Sequence, residues 1–251
     1  EDESEKVMKK AAKQYALEMK DLKAYISNKK AKAITATQAV STTSTAECDM
    51  ANAYQIYQQE LKRSQAMDFD DLLLNTVLLL EQHSDVKQAV NNKWQYLSMD
   101  EIQDSSILDN KLGYLLAGKN QNIFMVGDLN QSIYGFRGSE IETIINLKNQ
   151  YPNLRTIGLV TNYRSTETIV NAGESLIAKN KVKANNHTKS GRGVEGSKII
   201  QTKCKNQEDE ANKMVTYIKF VHDKRNIPYS EIAVLYRMTY LSRNLEQALM
   251  K

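Results

Sequence analysis

Two short apolar segments run straight into acidic residues. Gln95-Tyr96-Leu97-Ser98-Met99 leads into Asp100-Glu101, and Asn122-Ile123-Phe124-Met125-Val126 leads into Gly127-Asp128. Between them, residues 107–117 carry apolar side chains at helical spacing. A third apolar segment, 156–160, enters Asn162-Tyr163-Arg164-Ser165 and a helical pattern over 166–179. Helices are also expected over 139–150, stopped by Tyr151-Pro152-Asn153, and over 208–223, with further strands at 198–204 and 232–236. Strands alternating with helices after residue 90 predict parallel sheets with crossover helices, an α/β fold. In such sheets ligands bind at the carboxyl ends of the strands.

The opening third differs. Residues 5–26 and 46–64 have helical spacing, the Thr-, Ser- and Ala-rich stretch 34–45 is expected to be a loop, and no sheet-like alternation precedes residue 90. Asp68-Phe69-Asp70-Asp71 stands before a helix over 72–81, where the helix dipole favours acids. Residues 179–197 read as a basic surface loop, and there is no internal repeat. Only 10 glycines and 2 prolines in 251 residues agree with many helices and few tight turns.

Composition excludes several classes. The net charge of +4, from 34 basic and 30 acidic side chains, leans weakly toward polyanions and is no large electrostatic footprint. The apolar runs 72–74 and 77–80 are split by Asn75 and Thr76, far short of a membrane span, so no membrane partner is expected. The charged first ten residues are not a secretory signal. Cys48 and Cys204 lack metal-ligand spacing and fit free thiols in a reducing, cytoplasmic setting. Position 1 is Glu rather than Met, which reads as a start cut away.

Three motifs carry chemistry. In Asp100-Glu101-Ile102-Gln103-Asp104, adjacent acids at a strand end can divide labour, one carboxylate holding magnesium while the other orients or deprotonates a water. The alternative is a strand ending in a solvated acidic turn. The segment from Gly127-Asp128 through Gln131-Ser132-Ile133-Tyr134-Gly135-Phe136-Arg137-Gly138 offers Gln131 to a terminal phosphate, and Tyr134, Phe136 and Arg137 to unpaired bases. The two aromatics could equally anchor a loop in the core. In Asn162-Tyr163-Arg164-Ser165, an arginine at a strand-to-helix turn can reach a nucleotide's terminal phosphate, or can be a solvated residue of a capping segment.

The order, residues and spacing of the three motifs resemble superfamily 1A DNA helicases of the UvrD, Rep and PcrA type, where Asp-Glu-x-Gln-Asp, Gly-Asp-x-x-Gln-Ser-Ile-Tyr-x-Phe/Trp-Arg-Gly and Asn-Tyr-Arg-Ser are successive motifs. Met67-Asp68-Phe69-Asp70-Asp71-Leu72, Ile232-Ala233-Val234-Leu235-Tyr236-Arg237 and the segment from Ser242-Arg243 to Leu249 extend the likeness over about residues 66–251. The resemblance implies parts of two RecA-like parallel-sheet motor domains with a helical insertion. Residues 1–66 would be the insertion (1B-like), 67–152 the later part of the first motor domain (1A-like) and 153–251 the first part of the second (2A-like).

It implies roles as well. Asp100 would help hold Mg2+, Glu101 would be the catalytic base and Gln131 would contact the terminal phosphate of ATP. Arg164 would be the arginine finger, and Tyr163 would lie against adenine. Tyr134, Phe136 and Arg137 would line single-stranded DNA. Many relatives have Trp at the position of Phe136. The implied activity is ATP-driven movement on single-stranded DNA and unwinding at single/double-strand junctions, 3′ to 5′, in DNA repair or replication, with loading partners unspecified. No Gly-x-x-x-x-Gly-Lys-Ser/Thr loop occurs in the 251 residues. The chain is therefore expected to be an internal piece or truncated product that is inactive alone. The rival readings are a non-catalytic DNA- or protein-binding module derived from a helicase, and the helicase part of a helicase–nuclease.

Overall fold

A computed structural model of the chain describes all residues except 1, 43, 120, 133–143, 145, 181–186 and 251. It is mixed α/β and mostly helical, with two small parallel sheets. The chain groups into two units, Glu1–Ser165 with Val170–Arg192, and Thr166–Ile169 with Gly193–Lys251.

The first unit opens with four helices, α1 (Asp2–Gln14), α2 (Met19–Ala31), α3 (Ala36–Thr42) and α4 (Cys48–Arg63). They close around Met8, Ala11, Leu22, Ile26, Tyr54, Tyr57 and Leu61. Residues 5–26, expected as one helix, are thus two. The break is a C-terminal motif in which Ala16 (φ 53°) adopts the left-handed conformation, its N–H donates to the Lys13 carbonyl (3.3 Å) and the Leu17 N–H donates to the Ala12 carbonyl (2.9 Å). Ala33 (φ 59°) and Gln65 (φ 51°) close α2 and α4 in the same way. Glycine usually fills this position, and an L-residue there costs roughly 1–2 kcal/mol. Ala16→Gly is therefore expected to stabilise the chain by about 0.5–1 kcal/mol, after the extra entropy of glycine in the unfolded state. A melting temperature at or below that of the parent sequence would refute this account.

Residues 34–45, expected as a loop, contain α3. Its start is fixed by a reciprocal cap, Gln38 N–H to Thr35 Oγ1 (3.3 Å) and Thr35 N–H to Gln38 Oε1 (2.9 Å).

Helix α5 (Phe69–Gln82) starts from a capping box between Asp68 and Asp71. Both carboxylates also meet the ammonium of Lys30 from α2, Asp68 at 2.7 Å and Asp71 at 2.8 Å. Tyr57 OH donates to Asp68 (2.9 Å) and Gln58 Nε2 to Asp71 (3.0 Å), so α2 and α4 converge on the first turn of α5. Lys30 and Asp71 are fully buried. The apolar face of α5, Leu74, Val77 and Leu80, packs on Leu108 and Leu115 of α7 (Ile107–Ala117), with α6 (Ser84–Lys93) alongside.

Strands β1 (Leu97–Met99) and β2 (Ile123–Met125) pair in parallel, Leu97 opposite Ile123 and Met99 opposite Met125. Parallel neighbours need a crossover, and α7 supplies it, lying against β1. Gly113 permits the close approach, because a Cβ there would meet Met99 Sδ at 2.5 Å. The inward side chains Met99, Ile123 and Met125 pack beside buried Ile102, Leu147 and Tyr151.

A second parallel pair joins β3 (Thr161–Asn162) to β4 (Lys189–Ser190). Residues 156–160, 198–204 and 232–236, expected as strands, carry no strand assignment among the described residues. A strand is a pairing, and of the run 156–160 only the Val160 carbonyl meets the neighbouring segment, accepting the Lys189 N–H at 2.8 Å. Leu159 and Leu235 are accordingly 83% and 94% exposed. In the second unit, helix Gln207–Arg225, capped by Asn206, packs through Ala211 and Val215 on Leu245 and Ala248 of helix Ser242–Leu249.

Candidate functional site

Beyond Met99 the sheet ladder continues for two more bonds, Val126 N–H to the Met99 carbonyl (2.9 Å) and Ile102 N–H to the Val126 carbonyl (3.1 Å). These hold the Asp100-Glu101 turn beside the Gly127-Asp128 turn, at the carboxyl ends of adjacent parallel strands. Asp100 accepts the N–H of Glu101 at 2.9 Å, and both side chains are exposed. Glu101 itself has φ 50°, ψ 43°. A left-handed glutamate is uncommon and persists only where its surroundings enforce it.

Gln103, the residue two positions on, is 2% exposed and bonds to both turns. Its Nε2 donates to Glu101 Oε2 (2.5 Å), its Oε1 accepts the Asp128 N–H (3.0 Å), and its carbonyl accepts Ser132 Oγ (3.2 Å). Gly127 has no room for a side chain, since a Cβ would lie 2.7 Å from both Gln103 Oε1 and Ile102 Cγ1. Asp128 caps the short turn that follows, accepting Asn130 N–H (2.9 Å) through one oxygen and Gln131 Nε2 (2.8 Å) through the other. Asp100, Glu101, Asp128 and Gln131 therefore occupy one hydrogen-bonded patch.

Such a patch suits a particular kind of metal chemistry. No group of three His, Cys, Asp or Glu among the described residues could enclose an ion. Magnesium does not need one, because it is commonly held by one or two carboxylates with phosphate oxygens and water completing the octahedron. Asp100 on its exposed turn fits that donor set.

At the end of β3, Asn162 Oδ1 accepts the N–H groups of Arg164 (2.9 Å) and Ser165 (2.8 Å), which fixes the turn. Ser190 Oγ donates to the Ser165 carbonyl (2.8 Å) and Arg192 Nη1 to the Arg164 carbonyl (3.3 Å). Arg164 and Tyr163 project into solvent. The Tyr163 ring lies over Gly191, where a Cβ would come within 2.9 Å of it.

The UvrD/REP helicase N-terminal domain matches residues 1–152, and the UvrD-like helicase C-terminal domain matches residues 157–251. The chain belongs to the UvrD/REP helicase family. It is similar to the ATP-dependent DNA helicase PcrA of Leuconostoc citreum, 38% identical over 204 residues, which are 80% of this chain and 27% of the relative. The PcrA of Staphylococcus epidermidis is 40% identical over 205 residues, with the same coverage. The chain thus spans about 27% of the length of these relatives.

Within this family frame, Asp100, Glu101 and Gln131 lie in the N-terminal match, and Tyr163 and Arg164 in the C-terminal one. Tyr134, Phe136 and Arg137 lie outside the described residues. Gln103 and Asp128, whose bonds link the two turns, have no role that the sequence alone assigns, and a buriable amide two positions after an exposed acid is the one signal it offers. The nearest approach to a phosphate loop, Gly113-Tyr114-Leu115-Leu116-Ala117-Gly118-Lys119-Asn120, lacks the final Ser or Thr, and it begins inside α7. Helical hydrogen bonds occupy amides that such a loop would turn toward phosphate.

Proposed function

We propose that this chain carries the water-activating and phosphate-sensing part of an ATP-driven DNA helicase motor. The observation that carries this reading is the linkage of the Asp100-Glu101 turn to the Asp128–Gln131 turn through buried Gln103. Residues 1–66 are the helical insertion, 67–152 the later part of one RecA-like motor domain and 153–251 the first part of a second. ATP with Mg2+ supplies the phosphoryl group and the charge that organises it.

Asp100 would hold the ion when Mg2+ is bound with ATP. Glu101 accepts a proton from the attacking water, and Gln131, anchored by Asp128, contacts the terminal phosphate. Tyr163 gives its ring face to adenine, and Arg164 stabilises charge on the transferring group. Tyr134, Phe136 and Arg137 hold single-stranded DNA, and the whole protein advances 3′ to 5′ toward single/double-strand junctions.

The test is Glu101→Gln in the whole helicase, which keeps size and polarity and removes the base. DNA-stimulated phosphate release should fall about a hundredfold or more, the scale of general-base catalysis, with nucleotide affinity nearly unchanged. Undiminished turnover in the variant would remove Glu101 as the base and overturn the proposal.

A further inference from the structure

We propose that Gln103 is a positioning residue that aims the Glu101 carboxylate and couples it to the turn carrying Gln131. This rests on the hydrolytic reading above. The orientation of the amide follows from its partners. The Asp128 backbone N–H can only donate, so the atom facing it, 3.0 Å away, is the oxygen. The nitrogen then necessarily faces Glu101, and it donates to Oε2 at 2.5 Å. With Oε2 engaged, Oε1 is the oxygen presented to a water.

The side chain is buried, so neither contact is an incidental surface bond. Its two ends perform different tasks, a donor toward the acid and an acceptor toward the neighbouring strand end. No other residue type of this length offers both. The backbone agrees with the assignment. Glu101 is held left-handed, which sends its side chain back over Gln103, and Gly127 leaves the space that Gln103 Oε1 occupies. A shift of Gln131, transmitted through Asp128 and its N–H, would thus move the amide that orients the base.

Two variants separate the ends. Gln103→Met removes both donor and acceptor. Gln103→Glu keeps an oxygen for the Asp128 N–H but turns an oxygen toward Glu101. In the whole helicase, each should lower kcat for DNA-stimulated ATP hydrolysis by about tenfold to a hundredfold, the usual effect of misplacing a reacting group by an ångström or so. KM for ATP should change by less than about threefold, since the loss is confined to the chemical step. Adding Gln103→Met to Glu101→Gln should cost little more, because residues acting as a unit are non-additive.

Hydrogen exchange of the Asp128 amide in the 251-residue chain supplies a readout independent of turnover. Exchange should accelerate about tenfold or more in Gln103→Met and stay slow in Gln103→Glu, following the acceptor. If Glu101→Gln abolishes turnover and the Gln103 variants do not, the positioning role fails while the hydrolytic reading stands. If the Gln103 and Glu101 losses multiply, Gln103 acts elsewhere and the proposal is overturned. Should Glu101→Gln itself leave turnover intact, both readings fall together.

Discussion

Lys30→Met is expected to destabilise the first unit by about 3–5 kcal/mol, the cost of removing one partner from a buried charge cluster. For a chain of this size that lowers the melting temperature by on the order of 10 °C. Lys30 Nζ is fully buried between two carboxylates, and no water can replace it without opening the packing of α2 on α5. Methionine fills the volume, so the loss reports charge and hydrogen bonding rather than a cavity. Asp71→Asn should cost less than Lys30→Met, because it leaves Lys30 paired with Asp68. The double variant should fall short of the sum, and full additivity would show that the three groups do not act together.

The same cluster sets an acid dependence. Burial pushes the Asp68 carboxyl up, but the Lys30 hydrogen bond and charge, the Asp71 N–H and the Tyr57 hydroxyl outweigh it and hold the group below its ordinary value of 3.8. A carboxylate depressed in the folded state contributes stability above its unfolded pKa and loses it as pH falls through the folded value. The parent chain should therefore lose this contribution only below about pH 4. In Lys30→Met the main depressing partner is gone and burial dominates, so the deficit of the variant should shrink as pH is lowered from neutrality. A deficit constant with pH would show that Lys30 acts by packing alone.

What was legible in the sequence is what local chemistry decides. The helix over 107–117 is found with those bounds, because Ser106 and Asp109 cap each other and Gly118 (φ 60°) ends it. The two strand-to-acid junctions are found because an apolar run meeting Asp-Glu or Gly-Asp is a change of environment written in adjacent residues. The break between α1 and α2 was hidden because alanine occupies the left-handed position where glycine would have marked it. Helix α3 was hidden because Thr and Ser suggest a loop until the Thr35–Gln38 pairing is noticed. The expected strands at 198–204 and 232–236 depend on partners, which no local pattern specifies. Gln103 illustrates the same limit at the site, since its side-chain oxygen accepts the N–H of Asp128, a residue 25 positions away that only the β1–β2 pairing brings near.

The largest effect on activity is expected at Arg164. In the whole helicase, Arg164→Ala should reduce kcat for DNA-stimulated ATP hydrolysis by roughly a thousandfold or more, the range found for arginines that stabilise phosphoryl-transfer charge. The turn suits that task, because its backbone is fixed on both sides. Asn162 Oδ1 takes the N–H groups of Arg164 and Ser165, while Ser190 and Arg192 hold the carbonyls of Ser165 and Arg164. Fixing the backbone leaves the guanidinium as the moving part, and it is exposed. Arg164→Lys should recover little, because an ammonium keeps the charge but not the planar fork that grips two phosphate oxygens. Neither substitution should change folding stability by more than about 0.5 kcal/mol, the usual range for exposed side chains away from structural contacts. That separates catalysis from capping. If Arg164 were only a solvated member of the capping turn, the alanine variant would melt and hydrolyse ATP like the parent. Turnover within about twofold of the parent would remove Arg164 from the reaction, since such a change is worth only a few tenths of a kcal/mol.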